Sequence, residues 1–291
     1  MSILLDGATR VIIQGLTGRE GSFHARLMRE YGTRIVGGVT PGKGGQTHEG
    51  LPVFDSVAEA RRATGAEASI TFVPMSAAAD SLVEAIRAGL RLVVCTTDGI
   101  PVHDMLLVGA MAREAACCLI GPNCPGLITP GRSKLGFMPS HVYSAGPIGD
   151  MAKSGSLSYE VPYELTRAGL GQSTVVGIGG DPVKGHSFVD LLPLFAEDPE
   201  TQAVVLVGEI GGTDEERAAG WLERNRIGKP VIAYVVGRTA PPFVKMGHPA
   251  TVFVKNDRSY AEKVERLRAA KVVMAWSPWD VVVHAHAMLG R

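Results

Sequence analysis

The chain has 291 residues, more than one hydrophobic core ordinarily serves, so two domains are expected. Hydrophobic residues make up 45% and charged residues 20%, which excludes a disordered or collagen-like chain. Lys+Arg and Asp+Glu each number 29, and a formal net charge of +0 leaves no global field for nucleic acid or a membrane surface. Any anionic ligand must therefore be held by a local site. Four cysteines, Cys95, Cys117, Cys118 and Cys124, show no C-x-x-C pair and no metal-ligand spacing. They read as free thiols of a reducing compartment. With no signal-peptide run and no apolar stretch of membrane-spanning length, the expected location is cytoplasmic, and no metal site is expected.

Short β-branched runs alternate with helix-period segments along the chain. Strands are predicted over 10–14, 34–39, 68–73, 91–97 and 117–121, with helices near 20–31, 56–63, 77–88 and 103–115. Such alternation predicts a parallel sheet covered by helices on both faces. The stretch 122–147 contains five prolines and four glycines and reads as a loop-rich domain junction. Alternation then resumes, with strands over 148–152, 173–178, 203–209, 230–236 and 272–276. Helices are predicted near 156–168, 186–196, 214–225, 260–270 and 278–289. In open parallel sheets ligands bind at the carboxyl ends of strands, so the residues that follow strands carry the functional signal.

The first strand runs into Gln14-Gly15-Leu16-Thr17-Gly18-Arg19-Glu20-Gly21. Its glycines resemble the dinucleotide fingerprint with the middle glycine one residue late. Small residues let the backbone approach an anion, Thr17 offers a hydroxyl, and the following helix start points amides at a phosphate. Dinucleotide folds usually place an acid after the second strand to hold the ribose hydroxyls. Here that strand leads into Thr40-Pro41-Gly42-Lys43-Gly44-Gly45, and a lysine suits a ribose phosphate. NADP and coenzyme A both carry one, so an NADP-dependent oxidoreductase stays open on these residues.

The second half opens with a strand and then Lys153-Ser154-Gly155-Ser156-Leu157-Ser158-Tyr159, another anion site at a helix start. A later strand delivers Gly208-Glu209-Ile210-Gly211-Gly212, and a further loop carries Lys245-Met246-Gly247-His248. A neutral imidazole is nucleophilic near pH 7 and accepts a phosphoryl group, and a carboxylate on its other nitrogen fixes the tautomer. Glu209 is placed for that role. The other seven histidines read as packed or surface residues.

These motifs, in this order and over nearly the whole chain, resemble the succinyl-CoA synthetase α-subunit family and its relatives that activate malate, citrate or other small dicarboxylates. The matching strings include the run from Val36 to Gly45, Gly121-Pro122-Asn123-Cys124-Pro125-Gly126, the run from Val176 to Pro182, and Met246-Gly247-His248. The resemblance implies an α/β fold with a Rossmann-like coenzyme A-binding domain over 1–122 and a linker over 123–147. A flavodoxin-like doubly wound ligase domain over 148–291 would carry the phosphohistidine. It implies an ADP- or GDP-forming acid–CoA ligase in which an ATP-grasp-type β subunit binds ATP or GTP and Mg2+ and phosphorylates His248. The phosphoryl group then passes to a small dicarboxylic acid, and the thiol of coenzyme A attacks the acyl phosphate. Coenzyme A positions of the family map to Thr17, Gly18, Arg19, Glu20, Lys43, Thr96, Thr97 and Asp98. Tyr159 maps to a substrate position, Ser154, Gly155 and Ser156 to the phosphate-binding helix end, and Glu209 to the carboxylate partner.

Three positions depart from the family. Pro249-Ala250-Thr251-Val252-Phe253-Val254-Lys255-Asn256 replaces a glycine-rich run after His248, Ala152-Lys153 replaces Ser-Arg, and Asp98 replaces Glu. Proline and β-branched residues stiffen the first segment, and lysine substitutes a point charge for a planar fork. These changes point to altered acid specificity or slower turnover. A coenzyme A-binding regulator without phosphoryl transfer is the alternative they favour.

Overall fold

Runs such as Val11-Ile12-Ile13 and Val204-Val205-Leu206-Val207 are apolar without alternation, the pattern of strands buried on both faces. In a computed structural model, which describes residues 2–240 and 260–290, such runs build the centres of two separate sheets. The chain divides into two units, one of residues 4–138 and 183–185 and one of the described residues of 1–3, 139–182 and 186–291.

The first unit begins with β1 (Val11–Gln14), α1 (Arg19–Glu30), β2 (Ile35–Val39), β3 (Thr47–His48), β4 (Leu51–Phe54) and α2 (Val57–Thr64). It continues with β5 (Ala68–Thr71), α3 (Met75–Arg87), β6 (Leu92–Cys95), α4 (Val102–Glu114), β7 (Cys118–Ile120), β8 (Gly126–Thr129) and β9 (Ser133–Gly136). Its sheet has the order β3-β4-β2-β1-β5-β6-β7, with β3 antiparallel to β4 and the other pairs parallel. Numbered among themselves, the six parallel strands run 3-2-1-4-5-6, the Rossmann order. Ile12 and Val93 of the sheet pack with Leu82 and Ala85 of α3 and Val108 and Ala112 of α4.

The second unit holds β10 (Ala145–Ala152), α5 (Leu157–Arg167), β11 (Gln172–Gly177), α6 (Phe188–Glu197), β12 (Ala203–Glu209) and α7 (Asp214–Arg224). β13 (Val231–Val236), α8 (Tyr260–Ala269), β14 (Val273–Ala275) and α9 (Pro278–Leu289) complete it. The five parallel strands lie in the order β14-β13-β12-β10-β11, which is the flavodoxin-like 2-1-3-4-5 read from the other edge. Val161 and Leu165 of α5 and Val281, Val282 and Ala285 of α9 close over Ile148, Val205 and Ile232.

The main departure from the sequence reading lies in the proline-bearing stretches. The segment 122–147 is not all loop: it carries β8, β9 and the start of β10. Pro130 and Gly131 form the turn of the β8–β9 hairpin, where the Arg132 amide donates to the Thr129 carbonyl at 3.0 Å. Pro52 likewise sits inside β4, exposed between buried Leu51 and Val53.

β10 contains one anomaly. Asp150 lies between Val175 of β11 and Val205 of β12, and both its carboxyl oxygens are buried without a hydrogen-bond partner among the described residues. Burial raises its pKa well above the ordinary carboxyl value. With the folded pKa above the unfolded one, the native state holds the proton more tightly. The penalty is therefore absent below about pH 4 and grows as pH rises. Asp150→Val should raise stability at pH 7 by about 1–3 kcal/mol in urea unfolding, with a smaller gain near pH 4; a gain independent of pH would contradict this origin.

Candidate functional site

The register of the first sheet aligns four strand ends. Val39, Gln14, Thr71 and Cys95 are successive partners across β2, β1, β5 and β6, so the residues that follow them share one edge. Three strand spacings, about 14 Å, separate the outer two. The chain order reverses between β1 and β5, and this is the switch point where an open α/β sheet leaves a crevice.

The turn from β1 into α1 is tight. Gly15 has φ +84°, and a Cβ there would lie 2.4 Å from the Phe72 carbonyl oxygen. A Cβ on Gly21 would lie 2.1 Å from the Gly15 oxygen, so only glycine lets α1 approach β1 this closely. Gly18 is the N-cap of α1, and no side chain among the described residues caps it. The helix start is thereby left open.

Lys43 and Thr17 meet directly, the ammonium donating to Thr17 Oγ1 at 3.1 Å, while Thr17 Oγ1 donates to Thr40 Oγ1 at 3.2 Å. The loop that carries Lys43 is held by Asp55, whose Oδ1 accepts from the amides of Gly42 at 2.7 Å and Gly44 at 2.8 Å. Sequence reasoning missed Asp55, which looks like an ordinary acid before a helix. Arg19 and Glu20 pair with each other at 3.3 Å and remain exposed. Thr96 and Thr97 turn their hydroxyls to the carbonyls of Thr71 and Val73, at 2.8 and 3.0 Å, which leaves exposed Asp98 at the rim. Cys124 is buried, its thiol donating to the Cys95 carbonyl at 3.2 Å.

In the second unit the switch point lies between β10 and β12, where Ala152 is the partner of Val207. Ser154, Gly155 and Ser156 follow β10, and Glu209 ends β12. No side chain caps α5 at Ser156, and the amides of Gly155 and Ser156 have no acceptor among the described residues. Tyr159 stands half-buried in the first turn of α5. The structure thus brings Ser154, Gly155 and Ser156, expected from the sequence to hold a phosphate, and Glu209 to neighbouring strand ends. His248 lies outside the described residues.

Beneath this edge is a charge network that the sequence reading did not find. Lys153, 3% exposed, donates to the Gly211 carbonyl at 3.1 Å and lies 3.4 Å from Glu215 and 3.6 Å from Asp214. Lys263 of α8, fully buried, donates to the Gly212 carbonyl at 2.8 Å, to Glu215 at 2.7 Å and to Glu216 at 3.0 Å. Glu215 also accepts from the Glu209 amide at 3.1 Å. Burial opposes the Lys153 charge, but Glu215, Asp214 and Glu209 together outweigh it and hold its pKa above the ordinary lysine value. Two lysines on different elements therefore pin the Gly208–Gly212 loop. In sequence, Lys263 lies within Tyr260-Ala261-Glu262-Lys263-Val264-Glu265-Arg266, which reads as a solvated helix face.

Models of two protein families match the chain: a CoA binding domain over residues 6–99 and a CoA-ligase domain over 151–273. The succinate–CoA ligase [ADP-forming] subunit alpha of Aquifex aeolicus is 50% identical over 96% of this chain and 92% of its own length. This chain belongs to the succinate–CoA ligase α-subunit family. The malate–CoA ligase subunit alpha of Methylorubrum extorquens is also 50% identical, over 96% of this chain and 95% of its own. The fold matches that of the ATP citrate lyase of Methanothrix soehngenii with a TM-score of 0.87 at 24% identity, over 99% of this chain. This chain spans about half of that larger protein, 51%. Among the described residues, no helix is long and apolar enough to cross a membrane, and no cluster of three or more His, Cys, Asp or Glu is arranged to hold a metal ion.

Two outcomes test this geometry. Lys263→Met should cost about 3–5 kcal/mol in denaturant unfolding, because Glu215 and Glu216 lose a buried counter-charge; a loss below 1 kcal/mol would contradict the network. Asp55→Ala should weaken coenzyme A binding about five- to tenfold by calorimetry through a loosened Lys43 loop, at nearly unchanged thermal stability. Unchanged affinity would deny Asp55 that role.

Proposed function

We propose that this chain is the α subunit of an acid–CoA ligase that works through a phosphohistidine at His248 and an acyl phosphate. The observation that carries the reading is the uncapped α5 start beside the strand end of Glu209, in a chain 50% identical to succinate–CoA and malate–CoA ligase α subunits. A phosphoramidate needs preorganised donors for three oxygens, and open amides at a helix start provide them without reorganisation.

In the proposed sequence, a nucleoside triphosphate on an ATP-grasp-type β subunit, with Mg2+, transfers its terminal phosphoryl group to an imidazole nitrogen of His248 and leaves as the diphosphate. Gly155 and Ser156 amides, with the Ser154 and Ser156 hydroxyls, receive the phosphoryl oxygens. Glu209 accepts a hydrogen bond from the other ring nitrogen and fixes the tautomer. A carboxylate oxygen of a small dicarboxylic acid, oriented by Tyr159, then takes the phosphoryl group and frees the imidazole. The thiol of coenzyme A adds to the acyl carbon and expels inorganic phosphate. Lys43 and Thr17 bind a coenzyme phosphate, with the α1 start at Gly18 offering amides. Arg19, Glu20, Thr96, Thr97 and Asp98 line the rest of that edge. Cys95, Cys117, Cys118 and Cys124 form no disulfide among the described residues, which fits a cytoplasmic location.

A second reading, a coenzyme A-binding regulator without phosphoryl transfer, is favoured by the stiff sequence Pro249-Ala250-Thr251-Val252 after His248. One experiment separates the two. Co-purified with its β partner and given γ-radiolabelled ATP or GTP, the α chain should become labelled, and His248→Ala should abolish the label while coenzyme A binding persists. Label that survives in His248→Ala would refute the phosphohistidine assignment, and no label in the unmodified complex would favour the regulator.

A further inference from the structure

At the opposite edge of the first sheet, where β1, β5 and β6 begin, the surface opens into a cavity of about 740 Å³. Arg10, Arg61, Arg62, Arg87 and Arg91 line it, with Glu67 its one acidic residue. Five positive charges against one negative leave +4 in a chain whose formal total is +0. The strands are four residues long here, so this cavity lies about 13 Å from the proposed coenzyme loops, at the other end of β1.

Basic residues in the last turn of a helix complement its dipole, and that accounts for some of this charge. Arg61 does so visibly, donating to the Ala88 carbonyl at the end of α3 at 2.6 Å. Arg10 and Arg91 are different, since they arrive from strand starts and share Glu67 at 3.4 and 3.3 Å. A single carboxylate cannot neutralise both, and the Arg10 Nε is buried without a hydrogen-bond partner among the described residues. Arg62 and Arg87, in the last turns of α2 and α3, are exposed and make no hydrogen bond or ion pair among the described residues. Arg91 is committed to Glu67, the Leu4 carbonyl and Thr9 Oγ1, so three elements, the β1 start, α2 and α3, converge the remaining donor forks on one concave surface. A guanidinium presents paired donors that match phosphate oxygens two at a time. One phosphate engages one or two forks, whereas a chain of phosphates spans several.

We propose that this cavity is a second anion site, separate from the coenzyme loops, which binds an oligophosphate of two or more phosphoryl groups, free or carried by a nucleotide. Arg62 and Arg87 supply the uncommitted forks, and Arg10 and Arg61 flank the bound chain. The proposal stands whether or not the loops around Lys43 bind coenzyme A.

Calorimetric titration of the full-length chain with sodium tripolyphosphate at fixed ionic strength tests it. Saturable binding is expected, weakened about tenfold or more in the Arg62→Ala, Arg87→Ala double variant, the loss of a charge-assisted pair. Both side chains are exposed, so thermal unfolding of that variant should match the parent. Lys43→Ala should leave the binding within about twofold, since it alters only the coenzyme edge. A parallel titration with ATP tells the sources apart: equal affinity means the phosphate chain alone is read, and tighter ATP means a nucleotide. Affinity lost in Lys43→Ala but kept in the arginine variant, or heats that never saturate, would overturn the proposal.

Discussion

Two ammonium groups buried beneath the Gly208–Gly212 loop set the geometry on which the second site depends. Lys153 and Lys263 are 3% and 0% exposed, and they are paired with the carboxylates of Asp214, Glu215 and Glu216. Each lysine also gives a donor to a loop carbonyl, Gly211 or Gly212. Glu215 is the hinge of the arrangement, facing both lysines and the Glu209 amide. The loop is therefore tied at once to β10, α7 and α8. A carboxylate at position 209 is placed by its backbone before its own side chain contributes anything.

The two units solve a similar problem by different means. Both place their candidate residues at the carboxyl edge, beside the point where strand order reverses, as parallel sheets dictate. The first unit relies on exposed loops shaped by glycines and held by a single carboxylate, Asp55. Such a loop is suited to a long, solvated ligand with several phosphates. The second unit relies on buried charge, which suits a small reacting group that must be oriented and shielded from water. The contrast fits the division into a CoA binding domain and a CoA-ligase domain.

Much of this was legible in the sequence because fully buried parallel strands leave an apolar signature. All ten predicted strands overlap observed ones, and the helices between them fall close to their expected places. Four strands escaped notice, β3, β4, β8 and β9: β4 contains Pro52 and β8 lies between Pro125 and Pro130, which a strand interior normally rejects, while β3 is only two residues long. Yet Pro52 alternates with buried Leu51 and Val53, and Pro130-Gly131 is itself a turn signal between two apolar runs. The candidate site was partly legible. Thr17, Lys43 and Ser154 follow strands, Glu209 ends one, and all four carry their own chemistry. Asp55, Glu215 and Lys263 act through other residues, and nothing local distinguishes a buried helix lysine from a solvated one. Lys153 was visible only as a departure from the arginine usual in the family, and its pairing with Asp214 and Glu215 needed three dimensions.

On the proposed function, Lys153 serves the phosphoryl site by fixing the loop that carries Glu209. A double-mutant cycle on nucleotide-dependent thioester formation by the complex with its β partner tests this most directly, with Lys153→Met, Glu209→Gln and their combination. If the lysine acts through the loop, the double variant should be no slower than the worse single variant, within about twofold. Rate losses that multiply across the cycle would rule out this coupling, since the two residues would then act independently.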